Sequence, residues 1–138
     1  MGLTHPRELP QYAIDLAERF EAELIVLYII DPRYKEIENA LSPRPGRLKE
    51  LTIKVIEVGE KIVDIVKENA VEKNVNVKTD VINGVASITK GIVDYAKFNK
   101  VNLIVIGSRG ITGFKKLLVG SVASGVVTYS DCPVLVIK

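Results

Sequence analysis

Residues Leu24-Ile-Val-Leu-Tyr-Ile-Ile30 are apolar without a break, and Val101-Asn-Leu-Ile-Val-Ile106 is nearly so. A strand with one face in water alternates apolar with polar residues. An unbroken run needs cover on both faces, which is the condition of a strand inside a parallel sheet. The chain is thereby restricted to folds that place helices on both sides of a sheet, and the rest of the sequence supplies them. Leu9, Ala13, Leu16, Ala17 and Phe20 form one apolar stripe at helical spacing over residues 8–21, with Pro10 tolerable only in the first turn. A long helix is predicted over residues 47–73, where Leu48, Leu51, Val55, Val58, Ile62 and Ile65 recur at intervals of three and four and lysine and glutamate fill the other face. Asp31 to Arg47, with Pro32, Pro43, Pro45 and Gly46, reads as a loop holding at most a short helical turn around Glu36–Leu41.

Downstream, residues 75–81 alternate and are closed by Asn83-Gly84, the pattern of a strand. Residues 86–98 are predicted helical, with Ile88, Ile92 and Tyr95 inward. After the strand at residues 101–106, a fourth helix opens at Gly120-Ser121 and is marked by Val122, Val126 and Tyr129. Residues 133–137 form the last strand, with Pro133 confined to its first position or to an edge. Strands alternating with helices predict the α/β class. Right-handed crossovers make it a three-layer, doubly wound parallel sheet in one domain spanning residues 1–138. Ligands of such sheets bind beyond the carboxyl ends of the strands.

Charge and cysteine content narrow the function. The formal net charge is +2, from 19 basic and 17 acidic residues, too balanced to imply nucleic acid or an anionic membrane as partner. No apolar run approaches the roughly 20 residues needed to span a bilayer. Met1-Gly-Leu-Thr-His-Pro6 lacks the apolar core of a signal peptide. The single Cys132 has no internal disulfide partner, and a reducing cytoplasm fits it.

The chemistry concentrates at Gly107-Ser-Arg-Gly110, followed after nine residues by Gly120-Ser121. A buried strand empties into a glycine loop, and a second Gly-Ser pair opens a helix. The arrangement aims backbone N–H groups and a helix N-terminus at one point, which suits a phosphate. Gly107 and Gly110 let the backbone approach a ligand closely. Ser121 can cap its helix or offer its hydroxyl to a phosphate oxygen. Arg109, Lys115 and Lys116 add positive charge. An isolated Gly-x-x-Gly more often shapes a turn only, but here the strand before it and the helix after it point to a ligand. Neither a Walker loop nor the dinucleotide Gly-x-Gly-x-x-Gly is present.

That segment resembles the G-x2-G-x9-G-S/T signature of the universal stress protein family. Val81-Ile-Asn-Gly84, Leu103-Ile-Val-Ile106 and Cys132-Pro-Val-Leu-Val-Ile137 resemble the family as well, so the likeness runs from about Ala13 to the C-terminus. The resemblance implies an adenine-nucleotide α-hydrolase-like fold with strand order 3-2-1-4-5. It also implies ATP as the ligand, with any magnesium carried by its phosphates. It assigns Gly107, Gly110, Gly120 and Ser121 to phosphates and ribose, with Arg109 beside them. Ile106 and Val122 flank the motif, and Ile29 is placed where backbone meets adenine. It further implies a homodimer through the last strand, at Val134, Leu135, Val136 and Ile137, which would protect an exposed edge.

One departure qualifies this picture. Family members begin with a further strand, central in the sheet and ending in an Asp that helps hold the nucleotide. Here no β-type run precedes Tyr12 and no acidic residue precedes Glu8, so residues 1–7 are expected not to form a full core strand. Either Met1 is an internal position of a longer product, or the fold has rearranged. In the second case residues 24–30 pair directly with residues 101–106, or a partner chain lends a strand. The functional expectation is an ATP-binding, dimeric stress-response switch with at most slow hydrolysis, since no general base is evident. The alternative is an interaction module of the same family that has lost ATP binding with the strand.

The other polar candidates read as structural. His5 has no ligand-spaced partner, and Cys132 has no catalytic companions. Asp31 can face the cleft or serve a turn. Glu57, Glu60, Asp64 and Glu68 suit a solvated helix face, and Tyr28 and Tyr95 read as core.

Overall fold

A computed structural model describes residues 8–41, 45–108 and 120–138. Along the chain these form α1 (Glu8–Arg19), β1 (Leu24–Ile29), α2 (Tyr34–Leu41) and α3 (Arg47–Glu72). There follow β2 (Val77–Ile82), α4 (Ile88–Phe98), β3 (Ile104–Gly107), α5 (Ser121–Tyr129) and β4 (Val134–Ile137). The predicted short turn near Glu36 is a full helix, α2. Two strands start later than the sequence suggests because helix ends claim their first residues. The Val75 N–H donates to the Ala70 carbonyl at 3.0 Å, and the Val101 N–H donates to the Ala96 carbonyl at 2.9 Å.

The helices lie in two layers. A Cβ on Gly59 of α3 would come within 2.9 Å of the Tyr28 ring and 3.0 Å of Val81, so α3 rests closely on β1 and β2. A Cβ on Gly91 of α4 would lie 3.3 Å from Ile29. Tyr28 and Ile29 are successive in β1 and point to opposite faces, which puts α3 and α4 on opposite sides. On the α3 side, Ile14 and Ala17 of α1 join Ala70, Val75, Leu24, Val66 and Val77 in one core. On the other side, Ala96, Ile104 and Val126 form a second core with Ile92, Val93, Val122 and Val134. This is the α/β architecture expected.

Several inward assignments need correction. On α1 the fully buried residue is Ile14, while Phe20, beyond the helix end, is 76% exposed. On α3, Val58, Ile62 and Ile65 face outward, and Gly59, Val63 and Ala70 face the sheet. The close approach of Tyr28 and Val81 selects the helix face that carries glycine and smaller side chains. Tyr129 is exposed at the end of α5.

β1 pairs with β2 in parallel, Leu24 opposite Val77 through Ile29 opposite Ile82. β3 pairs with β4 in parallel, Ile104 opposite Val134 through Gly107 opposite Ile137. Among the described residues the two ladders do not join, so direct pairing of residues 24–30 with residues 101–106, one of the alternatives considered, does not occur. The N-terminal half of α4 meets the end of β1 through Gly91 and Ile29, and its C-terminal half meets the start of β3 through Ala96 and Ile104. Both strands therefore run antiparallel to α4 and parallel to each other. Residues 1–7, where no core strand is expected, lie outside the described residues.

Candidate functional site

Parallel strands deliver their carboxyl ends to one side of the molecule, which places Ile29 and Gly107 at the same end. Ser108 follows β3 directly and is 3% exposed. Its N–H donates to the Ile137 carbonyl at 2.9 Å, and its own carbonyl accepts from the Gly120 N–H at 2.6 Å. The start of the glycine loop and the start of α5 are thus tied to each other and to the last strand. Ser108 was not singled out from sequence. Its signal was its position, the first residue after a buried strand and inside the glycine motif.

Glycine is required at position 120. An added Cβ would stand 2.6 Å from the Ser108 carbonyl oxygen, inside any allowed contact. Gly120 is the N-cap of α5, in extended conformation, and no side chain caps the helix. Ser121 is the first helical residue and does not act as the cap, which corrects one of the two roles considered for it. The intrahelical ladder begins with Ser124 N–H donating to the Gly120 carbonyl at 2.9 Å. Helix geometry leaves the N–H groups of Ser121, Val122 and Ala123 outside that ladder, at the positive end of the helix dipole. The Ser121 side chain is exposed. The Ser108 and Gly120 amides are bonded within the chain, so what suits phosphate oxygens here is the first turn of α5 together with the exposed Ser121 side chain.

Ile106, Gly107, Gly120, Ser121 and Val122 are brought together here, with Ile106 and Val122 packed in the α4–α5 core. Gly107 lies under α1, where an added Cβ would be 3.4 Å from Leu9. Ile29 belongs to the other ladder, at the same end. Arg109, Gly110, Lys115, Lys116 and His5 lie outside the described residues. Asp31, just past β1, serves the turn. It accepts from the Arg33 backbone N–H at 3.0 Å and from the Arg33 guanidinium at 2.6 Å, and these bonds hold its carboxyl below the usual range. Glu57, Glu60, Asp64 and Glu68 are all exposed. Cys132 packs beside Ser130, with Sγ 3.4 Å from its Oγ. Among the described residues no three His, Cys, Asp or Glu side chains gather as a metal site, and no helix is long and apolar enough to cross a membrane.

A cleft of about 590 Å³ lies elsewhere, between β2 and α4, lined by Asp80, Lys90, Asp94 and Tyr95 among others. Tyr95 Oη is buried there without a hydrogen-bond partner. Burial, and after it the nearby Asp80 carboxylate, pushes the Tyr95 phenol up to about 12. None of the described glycine-loop residues borders this cleft.

Comparison with known proteins adds independent observations. The model of the universal stress protein family matches residues 2–138. A universal stress protein of Methanocaldococcus jannaschii is 35% identical over 136 residues, covering 95% of this chain and 74% of that one. The solved universal stress protein UspA of Lactobacillus plantarum superimposes with a TM-score of 0.78 at 26% identity, covering 96% of this chain and 88% of the other. A universal stress protein of Archaeoglobus fulgidus, solved in complex with dAMP, has a TM-score of 0.64 at 20% identity and covers 100% and 93% of the two chains. At that identity the likeness is one of fold.

Proposed function

Because the chain belongs to the universal stress protein family, we propose that its glycine-loop end binds an adenine nucleotide, with ATP as the physiological ligand, and that binding operates a dimeric stress-response switch. The observation that carries this reading is the uncapped N-terminus of α5 at the end of β3, with Gly120 held against the Ser108 carbonyl. Gly107, Gly120 and Ser121 hold phosphate and ribose, and Gly110 and Arg109 complete the loop. Ile106 and Val122 flank the nucleotide, and the Ile29 backbone meets the adenine. Any magnesium arrives on the phosphates. A similarly folded relative is solved in complex with dAMP, which supports an adenine nucleotide as the class of ligand. The outer edge of β4, Val134–Ile137, pairs with no strand among the described residues and is the proposed dimer contact. In this reading any hydrolysis is slow, because no general base is evident in the sequence.

Titration calorimetry with ATP tests the site. The chain should bind saturably, and Gly120→Val should weaken binding at least tenfold, about 1.4 kcal/mol. Unchanged binding in the variant would remove the α5 N-terminus from the site. A chain that folds and binds no nucleotide would favour the second reading, an interaction module. One observation leans that way: among the described residues Ile29 and Gly107 belong to ladders that do not join.

A further inference from the structure

We propose that the outward seam of α3 is a self-association surface, which pairs antiparallel with α3 of a second copy of this chain. Spacing along the helix is the first support. Leu48, Leu51, Val55, Val58, Ile62 and Ile65 follow one another at intervals of three, four, three, four and three. That alternation averages 3.5 residues, the repeat of a seam that packs on another helix. The chain's own sheet does not use it. The buried residues of α3 are Gly59, Val63 and Ala70, and at 3.6 residues per turn they lie roughly 110° around the helix from Val58, Ile62 and Ile65.

The seam is open over its middle turns. Val58, Ile62 and Ile65 are 53%, 39% and 61% exposed. Leu48, Leu51 and Val55 are half-buried, where α2 packs on α3 and Tyr34 Oη shares a hydrogen bond of 2.9 Å with Thr52 Oγ1. Single exposed aliphatic side chains are ordinary, but three in line on one helix make a patch. The patch belongs to the β1–β2 half of the molecule, apart from the β4 edge.

Charge selects the occupant. Over residues 47–56, Arg47, Lys49 and Lys54 outnumber Glu50; over residues 64–72, Asp64, Glu68 and Glu72 outnumber Lys67. This order is the reverse of what the dipole of α3 favours, and its last turn holds no basic residue. A second α3 laid antiparallel brings acidic end to basic end on both sides of a two-fold axis and sets the two dipoles in opposition. A parallel pair would place like charge on like. Lys61 and Glu68, both exposed, stand one heptad apart on the solvent flank of the seam. When Ile62 meets Ile65 of the partner subunit, Lys61 comes opposite Glu68 of the partner subunit, and symmetry makes each contact twice. The apolar side chains supply attraction, and the charges at the rim fix direction and register.

Sedimentation equilibrium of the full chain, without nucleotide, tests the proposal. The chain should associate reversibly, and Ile62→Lys should raise the dissociation constant at least tenfold. Lys61→Glu should raise it about threefold or more, and Glu68→Lys added to that variant should recover most of the loss. Cysteines read the direction. In a Cys132→Ser background, chains carrying Lys61→Cys mixed with chains carrying Glu68→Cys should form the mixed disulfide at least tenfold faster than either forms one with itself. Where the β4 edge also pairs, the loss in Ile62→Lys is of the larger assembly, and the disulfide test reads the α3 contact directly. A chain that stays monomeric would overturn the proposal, as would association that Ile62→Lys leaves unchanged. Failure of the charge swap to recover association, or faster disulfides between like chains, would also overturn it. Because no nucleotide enters the experiment, its failure is separate from failure of the nucleotide site.

Discussion

The β1–β2 half and the β3–β4 half use the same parallel pairing to different ends. The first ladder runs six residues and is clamped by the 26-residue α3, whose Gly59 lets Tyr28 and Val81 press against the helix backbone. The second runs four residues and ends in Gly107, after which Ser108 hands the chain to the glycine loop and α5. Long strands and close helix packing supply rigidity. The short β3, ending in glycine, hands the chain to the uncapped N-terminus of α5. The difference teaches that the proposed ligand end is built by the half with less of its own sheet, and that α1 and α4, which touch both halves, must hold it in register.

The sharpest way to break this division is at the first half's core. Ile14→Ala removes a side chain that is 1% exposed and should cost about 3 kcal/mol of unfolding free energy in urea denaturation. A loss below about 1 kcal/mol would show that α1 does not anchor the halves. Next in size is the cap of the second bridging helix. Ser87 accepts from the Lys90 N–H at 3.1 Å, and Ser87→Ala should cost about 1 kcal/mol in the same measurement.

Tyr95 sharpens the comparison in the opposite direction. Its hydroxyl is buried without a hydrogen bond of normal geometry, although the Asp80 carboxylate lies close enough to raise its pKa, so Tyr95→Phe should change stability by no more than about 1 kcal/mol. Its folded pKa of about 12 lies above the unfolded value near 10. The stability linked to this difference is complete below pH ~10 and is lost as pH rises towards about 12. Absorbance at 295 nm should show one tyrosine that titrates late, and that step should vanish in Tyr95→Phe. The smallest effect belongs to Asp31. Arg33 lowers its pKa, so its contribution is present above pH ~4 and is lost as pH falls through the lower folded value. Because the pair is exposed, Asp31→Asn should shift the melting temperature only slightly at pH 6, and the shift should shrink further at pH 3.

Much of this was legible in residues. The uninterrupted run at Leu24–Ile30 announced cover on both faces, and α3 and α4 provide it. Gly120-Ser121 announced a helix start, and α5 begins at Ser121. The side chains that face inward were less legible. On α3 two apolar stripes lie next to each other, and periodicity favoured Val58, Ile62 and Ile65. The neighbouring Tyr28 and Val81 left room only for the face with Gly59 and Ala70. The role of Ser108 was equally hidden, because its hydrogen bonds go to residues 120 and 137, which only the fold brings near it.

By itself the order of apolar runs and glycines determined the class of fold, the placement of a glycine loop after a strand, and the family. Local chemistry is enough for that, because hydrophobic period and glycine's missing side chain act over a few residues. Tertiary structure decided which helix face meets the sheet, that Gly120 is locked against the Ser108 carbonyl, and that β1 and β3 do not pair with each other. Those outcomes depend on contacts between residues far apart in the chain, where shape and main-chain hydrogen bonding choose among several patterns that the sequence permits equally.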